Sequence, residues 1–217
     1  MESVIAPSLK EMAQAAINQK LILQGVSWDF YERILKEFAD SNALHFAYDD
    51  GFLEVEVPLF EHESANRILQ NLVTTICVEK EIEVINAGST TFRKRAKAKG
   101  VEPDTCFYIQ NEAKIRGKLD IDLAHDPPPD LVIEVDVTSP SLNKMPIYAA
   151  LGVGEVWLYK GEKVEFYKLY GEFYQQISNS LTFPFLSSEK ATEFLKKGLQ
   201  DSFLKWNKEV RNWVNEQ

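Results

Sequence analysis

Cysteine is scarce in this sequence, and its scarcity argues against two kinds of protein. Only Cys77 and Cys106 occur, both stand in apolar surroundings, and no C-x-x-C spacing is present. Neither a disulfide framework nor a cysteine zinc site is therefore indicated. A reducing compartment fits this usage best, and we expect a cytoplasmic protein.

Long hydrophobic runs are missing as well. No apolar stretch approaches the roughly 20 residues that a membrane-spanning helix needs. The N-terminus has no basic segment followed by an uninterrupted apolar run, which is the pattern of a secretion signal. We therefore expect neither a membrane partner nor export.

The sequence also has no excess of positive charge. Its net charge of -9 argues against a protein that coats nucleic acid non-specifically, because Lys and Arg supply that attraction. One basic cluster, FRKRAKAKG, contains Arg93, Lys94 and Arg95. Two interpretations of it stay open: a patch that contacts phosphates, or a loop that its charges keep solvated.

Repeats, low-complexity tracts and linkers rich in Pro or Gly are absent. A chain of 217 residues without a linker predicts a single domain over 1–217. Within it we predict an N-terminal helical segment over 1–42, a core over 44–180 and a C-terminal helix over 189–213. The 13 Phe, 8 Tyr and 4 Trp predict an aromatic core.

Hydrophobic periodicity predicts the helices. SLKEMAQAAINQK is a modest candidate, and SWDFYERILKEFADSN is a better one because Ser27 can cap it. FEHESANRILQNLVTTICVEKE has one apolar stripe along a long helix. A shorter helix is predicted from about Ser141 to Leu151, ended by Gly152.

The strands follow from alternation and turn residues. ALHFAYDDGFLEVEV carries Asp-Gly between two alternating runs, which is a strong hairpin signal. EIEVINA, TCFYI, LVIEVDV and EVWLY are short and rich in β-branched or aromatic residues. The predicted order of elements over residues 60 to 160 is therefore helix, three strands, helix, strand. The predicted fold is α/β, with a mixed central sheet flanked by helices.

The stretch PPPDLVIEVDVTSPSLNK places carboxylates on an otherwise apolar strand. Because side chains alternate along a strand, Asp130, Glu134 and Asp136 share one face. Carboxylates on a central strand need neutralisation, and hard oxygen ligands suit Mg²⁺ or Mn²⁺. The alternative is an edge strand whose polar face meets water.

Four other residues accompany this strand. Asp104 opens the preceding predicted strand and can lie beside Glu134, and Lys144 begins the following helix near the strand ends. His62 and Glu63 begin the long helix. The helix dipole alone explains Glu63, and His62 is either a proton-handling group or a polar group at the sheet edge.

Several of these segments, in this order, resemble the Uma-type family of restriction endonucleases. The matching stretches cover about residues 21 to 210: SWDFYERIL, PLFEHE, GSTTFRK, EPD, PPDLVIEVDVTSPS, the segment from Lys144 to Tyr148, and ALGVGEVWLY. That family is similar to the PD-(D/E)XK nuclease superfamily. Its restriction-endonuclease-like core has the order helix, three strands, helix, strand.

The resemblance implies roles for particular residues. Asp104 matches the metal-binding Asp, Glu134 matches the acidic residue of the next core strand, and the backbone carbonyl of Val135 is an expected additional metal ligand. Glu63 with His62 matches the polar pair on the first core helix. One departure matters: the superfamily has Lys two residues after the acidic residue, and this sequence has Asp136 there. Lys144 resembles a Lys that has migrated to the following helix.

The predicted function is therefore hydrolysis of DNA phosphodiester bonds by a Mg²⁺-dependent (or Mn²⁺-dependent) endonuclease. Arg93, Lys94 and Arg95 would contact backbone phosphates. One alternative is an inactive nuclease-fold protein that serves as a nucleic-acid-binding or assembly module, which Asp136 and the acidic net charge favour. A second is a metal-dependent hydrolase for a smaller substrate. A homodimer is possible, by analogy with nucleases that cut both strands.

Overall fold

The computed structural model describes residues 20–39, 44–136 and 142–217. The predicted helix SLKEMAQAAINQK lies outside these ranges except for its last residue, Lys20, which begins a strand. Val137 and Ser141, at the predicted ends of a strand and a helix, also lie outside them. No helix within the described ranges is long and apolar enough to cross a membrane.

The described residues form eleven strands and six α-helices. In order they are β1 (Lys20–Leu23), α1 (Trp28–Glu37), β2 (His45–Asp49), β3 (Phe52–Glu56), α2 (Phe60–Glu79), β4 (Ile85–Gly88), β5 (Phe92–Lys94), β6 (Lys99–Val101), β7 (Thr105–Tyr108), α3 (Glu112–Ile115), β8 (Leu131–Val135), α4 (Met145–Leu151), β9 (Glu155–Tyr159), β10 (Val164–Tyr170), β11 (Phe173–Ile177), α5 (Ser188–Gln200) and α6 (Phe203–Asn215).

The larger sheet is the predicted mixed sheet. It has the order β11-β10-β9-β8-β7-β4, and β8 pairs in parallel with β9 and antiparallel with β7. On one face, Leu131, Ile133 and Val135 join the apolar stripe of α2 in a core that α5 and α6 complete. On the other face, Val132 packs with α4. The α/β prediction, with a mixed sheet between helices, is confirmed.

A second, antiparallel sheet was not foreseen in the sequence. Its order is β1-β3-β2-β6-β5, and the Asp50-Gly51 turn joins β2 to β3 as predicted. Helix α1, capped by Ser27 Oγ, covers one face of it. The other face shares a core with α4, so α4 packs against both sheets.

Two segments differ from their predicted form. FRKRAKAKG is a β5–β6 hairpin around one 3-10 turn, Arg95–Lys97, and pairs with the second sheet. The C-terminal helix is two helices separated at Asp201 and Ser202, since Asp201 has extended backbone. The break lets α6 fold back, so that Trp206 Nε1 donates to the carbonyl of Phe194 at 2.8 Å.

Gly100 on β6 gives α1 room to pack, and replacing it with Ala should destabilise the fold. A Cβ there would overlap the hydroxyl of Tyr31 and lie 2.8 Å from its Cε1. The Tyr31 ring is fully buried and stacks on Tyr48, so it has no free direction of escape. We expect Gly100→Ala to lower the free energy of unfolding by about 2 kcal/mol.

Guanidinium chloride unfolding measures this effect, and Gly154→Ala is the matched control. The nearest atom to a Cβ at Gly154 is the carbonyl oxygen of Asp130 at 3.7 Å, an ordinary contact. Equal unfolding midpoints for the two variants would contradict the packing argument.

Candidate active site between the two sheets

Asp104 and Glu134 lie side by side at the end of two neighbouring strands. The β7–β8 register pairs Thr105 with Ile133, and one further step sets Asp104 opposite Glu134. The backbone N–H of Val135 donates to Asp104 Oδ2 at 2.7 Å. Both acidic residues are buried, with 4% and 5% of their surface exposed. Pro103-Asp104 and Pro129-Asp130 therefore precede two adjacent strands.

Asp104 has histidine neighbours from helix α2 and from strand β2. His62 Nε2, from the first turn of α2, lies 3.0 Å from Asp104 Oδ2, and His45 Nδ1, from β2, lies 3.5 Å from Oδ1. Burial opposes ionisation of Asp104, but the two imidazoles and the charge of Lys144 outweigh it and hold its pKa below the usual value. Asp104 is thus kept negatively charged despite its burial.

Glu134 contacts two side chains of the helix that follows it. Lys144, immediately before α4, donates from Nζ to Glu134 Oε2 at 2.8 Å, and the hydroxyl of Tyr148 donates to Oε1. Burial raises the pKa of Glu134, and the charge of Asp104 adds to this rise although Lys144 opposes it. Lys144 loses hydration by burial, yet the surrounding carboxylates raise its pKa well above the usual value and keep it charged.

The second sheet adds charged residues that the sequence reading did not propose. Leu53 and Val55 of β3 face α1, so Glu54 and Glu56 point the other way, toward α4. Glu54 Oε2 accepts the backbone N–H of Leu142 at 2.6 Å, and Glu56 contacts Lys144. Lys20 of β1 contacts Glu56. The alternation in FLEVEV was the available signal for this acidic face.

Other sequence candidates lie apart from the Asp104–Glu134 pair. Glu63 is partly exposed, and its Oε2 lies 3.5 Å from Arg67 Nη2. Its Oε1 lies 3.9 Å from His62 Nδ1, which is its contact with the residues around Asp104. Asp130 instead accepts hydrogen bonds from the backbone N–H groups of Ile109 and Asn111. Asp136 accepts one from Lys20.

The basic cluster divides between two environments. Arg93 is exposed and lines a cavity with His45 and Glu102 on the Asp104 side of the molecule. Arg95 forms ion pairs with Asp29 at 2.5 Å and with Glu32 at 2.9 Å on α1. Lys94 lies between them on β5. Arg93 is therefore the member best placed near the site.

The donor set fits a hard divalent cation. Asp104 Oδ1 is buried without a hydrogen-bond partner, and so is Glu54 Oε1. In residues 20–39, 44–136 and 142–217, no three His, Cys, Asp or Glu side chains form a ready metal cage. Mg²⁺ does not require one, because it commonly uses one or two carboxylates and completes its shell with water and substrate phosphate.

Cavities reach the site from two sides. One of about 340 Å³ is lined by Glu134, Lys144, Lys20 and Lys160, among others. Another of about 500 Å³ is lined by Asp104, His45 and Arg67. The carboxylates thus lie between two openings, each of which has basic side chains.

One comparison with known proteins identifies a family. A family model described as "Uma2: Putative restriction endonuclease" matches residues 28–203. No curated protein matches the chain. The matched range contains Asp104, Glu134 and Lys144, and it excludes Lys20.

Proposed function

The chain belongs to the family described as "Uma2: Putative restriction endonuclease", and we propose that it is a metal-dependent endonuclease that hydrolyses DNA phosphodiester bonds. The observation that carries the proposal is the buried trio at the strand ends. Lys144 Nζ lies 2.8 Å from Glu134, and Asp104 lies opposite Glu134 with one oxygen that accepts no hydrogen bond, although His45 Nδ1 lies 3.5 Å from it. A carboxylate pair beside an ammonium suits phosphoryl chemistry.

Asp104 and Glu134 would hold Mg²⁺ or Mn²⁺, with the carbonyl of Val135 as a further proposed ligand. When bound, the cation would supply an activated water and neutralise charge on the phosphate. Val135 N–H fixes the orientation of Asp104, and Tyr148 fixes that of Glu134. These contacts hold both carboxylates in place before substrate arrives, which favours catalysis because little reorganisation is left.

Lys144 and His62 complete the proposed machinery. The Lys144 ammonium would orient the attacking water or stabilise the charge that develops on the phosphate. His62 would restrain Asp104 from the α2 side, and Glu63, near the rim, would contribute less. Arg93, Lys94 and Arg95 would bind backbone phosphates, a contact that supplies affinity without sequence choice.

A cleavage assay tests this function. Supercoiled plasmid and single-stranded DNA are incubated with the protein and Mg²⁺ or Mn²⁺, with EDTA as the control. We expect nicked or linear products with metal and none with EDTA. Cleavage that persists in EDTA would contradict metal dependence.

The rival is an inactive nuclease-fold module that binds nucleic acid. The Lys144 ion pair and the Tyr148 hydrogen bond already occupy Glu134, and Asp136 stands where the superfamily has Lys; both features favour this rival. It predicts no cleavage with either metal, together with DNA binding that weakens steeply as salt increases.

Sedimentation velocity with and without DNA tests the predicted homodimer.

A further inference from the structure

Four contacts join the two sheets through five charged side chains, here called the charge chain. Lys20 Nζ lies 2.9 Å from Asp136 Oδ1 and 3.3 Å from Glu56 Oε1. Glu56 Oε2 lies 3.8 Å from Lys144 Nζ, which lies 2.8 Å from Glu134 Oε2. Lys20 is therefore connected to the Glu134–Lys144 pair through Glu56.

The strand register fixes Lys20 at this place. Strand β1 pairs with β3 so that Lys20 stands opposite Glu56, and opposite residues of an antiparallel pair project from the same face. Both side chains are only 5% exposed. A buried carboxylate needs a nearby cation, and for Glu56 the closer of its two ammonium contacts is Lys20.

The distances define a competition for Lys144. Its ammonium lies 2.8 Å from Glu134 and 3.8 Å from Glu56, so it is closer to Glu134 by 1 Å. Without Lys20, Glu56 would be a buried carboxylate whose remaining ammonium contact is Lys144. Electrostatic attraction would then draw Lys144 from Glu134 toward Glu56.

We propose that Lys20 is a positioning residue: by neutralising Glu56, it keeps the ammonium of Lys144 on Glu134. Asp136 holds the other side of Lys20 and so fixes its location. This inference rests on the proposed function, since the site that it positions is the nuclease site.

Cleavage kinetics in two backgrounds test the proposal. Lys20→Met should lower kcat by about 10- to 100-fold, the usual cost of losing a partner that orients metal-site groups. Lys20→Arg should recover most of this loss, because it keeps a cation between Glu56 and Asp136. In a Glu56→Gln background, Lys20→Met should cost less than about threefold, because the competing carboxylate is gone.

An equal loss of kcat in both backgrounds would overturn the proposal, because Lys20 would then act independently of Glu56. Lys163→Met is the matched control: it removes a lysine that pairs with Glu165 on the exposed β9–β10 turn. That variant should cleave as the wild type does. Thermal unfolding of every variant checks that the fold persists.

Isothermal titration with Mn²⁺ alone gives a readout that does not depend on cleavage. Removing the Lys20 charge should tighten Mn²⁺ binding by about tenfold, because the carboxylate cluster becomes more negative. Glu56→Gln should weaken it, and the double variant should lie near the wild type. General structural damage would weaken binding in Lys20→Met, and that result would overturn the proposal. If the wild type cleaves no DNA, the proposed function fails, but this titration still decides the charge chain.

Discussion

Replacing Glu134 with Gln should lower the rate of DNA cleavage by at least about a thousandfold, which corresponds to roughly 4 kcal/mol of lost transition-state stabilisation. Gln has nearly the same size as Glu, and its single amide oxygen can still accept the hydrogen bond from either Tyr148 or Lys144. What it lacks is the negative charge that a divalent cation requires. The loss therefore reports on metal binding and not on packing.

Asp104→Asn should give a loss of the same order. The remaining amide oxygen can still accept the N–H of Val135, which preserves the strand ends. Both variants should also lose Mn²⁺ binding in a titration without DNA. Because Glu134 and Asp104 would hold the same ion, the double variant should be hardly worse than either single variant.

The control for these two variants is Asp122→Asn, which removes an exposed carboxylate that contacts His125 and the backbone N–H of Ala124. It should cleave normally. Cleavage that survives both Glu134→Gln and Asp104→Asn would remove the site proposed between the two sheets. Loss of cleavage with Mn²⁺ binding intact would instead separate the metal site from the catalytic site.

The meeting of Asp104, Glu134 and Lys144 could be anticipated because it depends on local rules. Alternation along β8 fixes the face of Glu134, and a Pro-Asp pair precedes each of two neighbouring strands. The length of the segment between β8 and α4 returns Lys144 to the strand ends. Such relationships span few residues or adjacent strands, so the sequence pattern contains them.

The second sheet could not be anticipated, because its place depends on packing between distant segments. The pattern FLEVEV shows an acidic face on β3, but the usual partner of such a face is water. Glu54 and Glu56 are buried because α4 packs against both sheets. The sequence of β3 itself does not indicate that packing. Lys20 and His45 reach the site for the same reason. Lys20 lies on β1 and His45 lies on β2, and both strands pair with β3.

The C-terminal helix shows a different limit. Its apolar residues continue at helical spacing from α5 into α6, so periodicity alone joins the two. At the break, Ser202 occupies the N-cap position of α6, although its side chain makes no capping hydrogen bond, and Gly198 leaves space for Ile68 and Trp206. Both signals are single residues, whereas the periodic pattern extends over about 25 positions.

Lys144→Met should lower the cleavage rate by about a hundredfold or more while leaving Mn²⁺ binding intact or stronger. The ammonium is the cationic side chain that donates to Glu134 among the described residues, and Met keeps its length and apolar stem without its charge. Lys144→Arg should retain part of the activity, because the guanidinium keeps the charge but changes the geometry of its donors. Rates under single-turnover conditions, with metal saturating, measure the chemical step.

The Lys144 result decides between a working nuclease and an inactive one more sharply than the carboxylate variants do. In an inactive module, Lys144 would serve only as the counter-ion of Glu134 and Glu56. Its loss would then lower the stability of the fold and leave DNA binding unchanged. No effect on cleavage could be measured, because the wild type would not cleave DNA. In a working enzyme, Lys144 substitutes from α4 for the lysine that Asp136 replaces on the strand. A Lys144→Met variant that cleaves at the wild-type rate, while Glu134→Gln does not, would show that the metal site works without this ammonium.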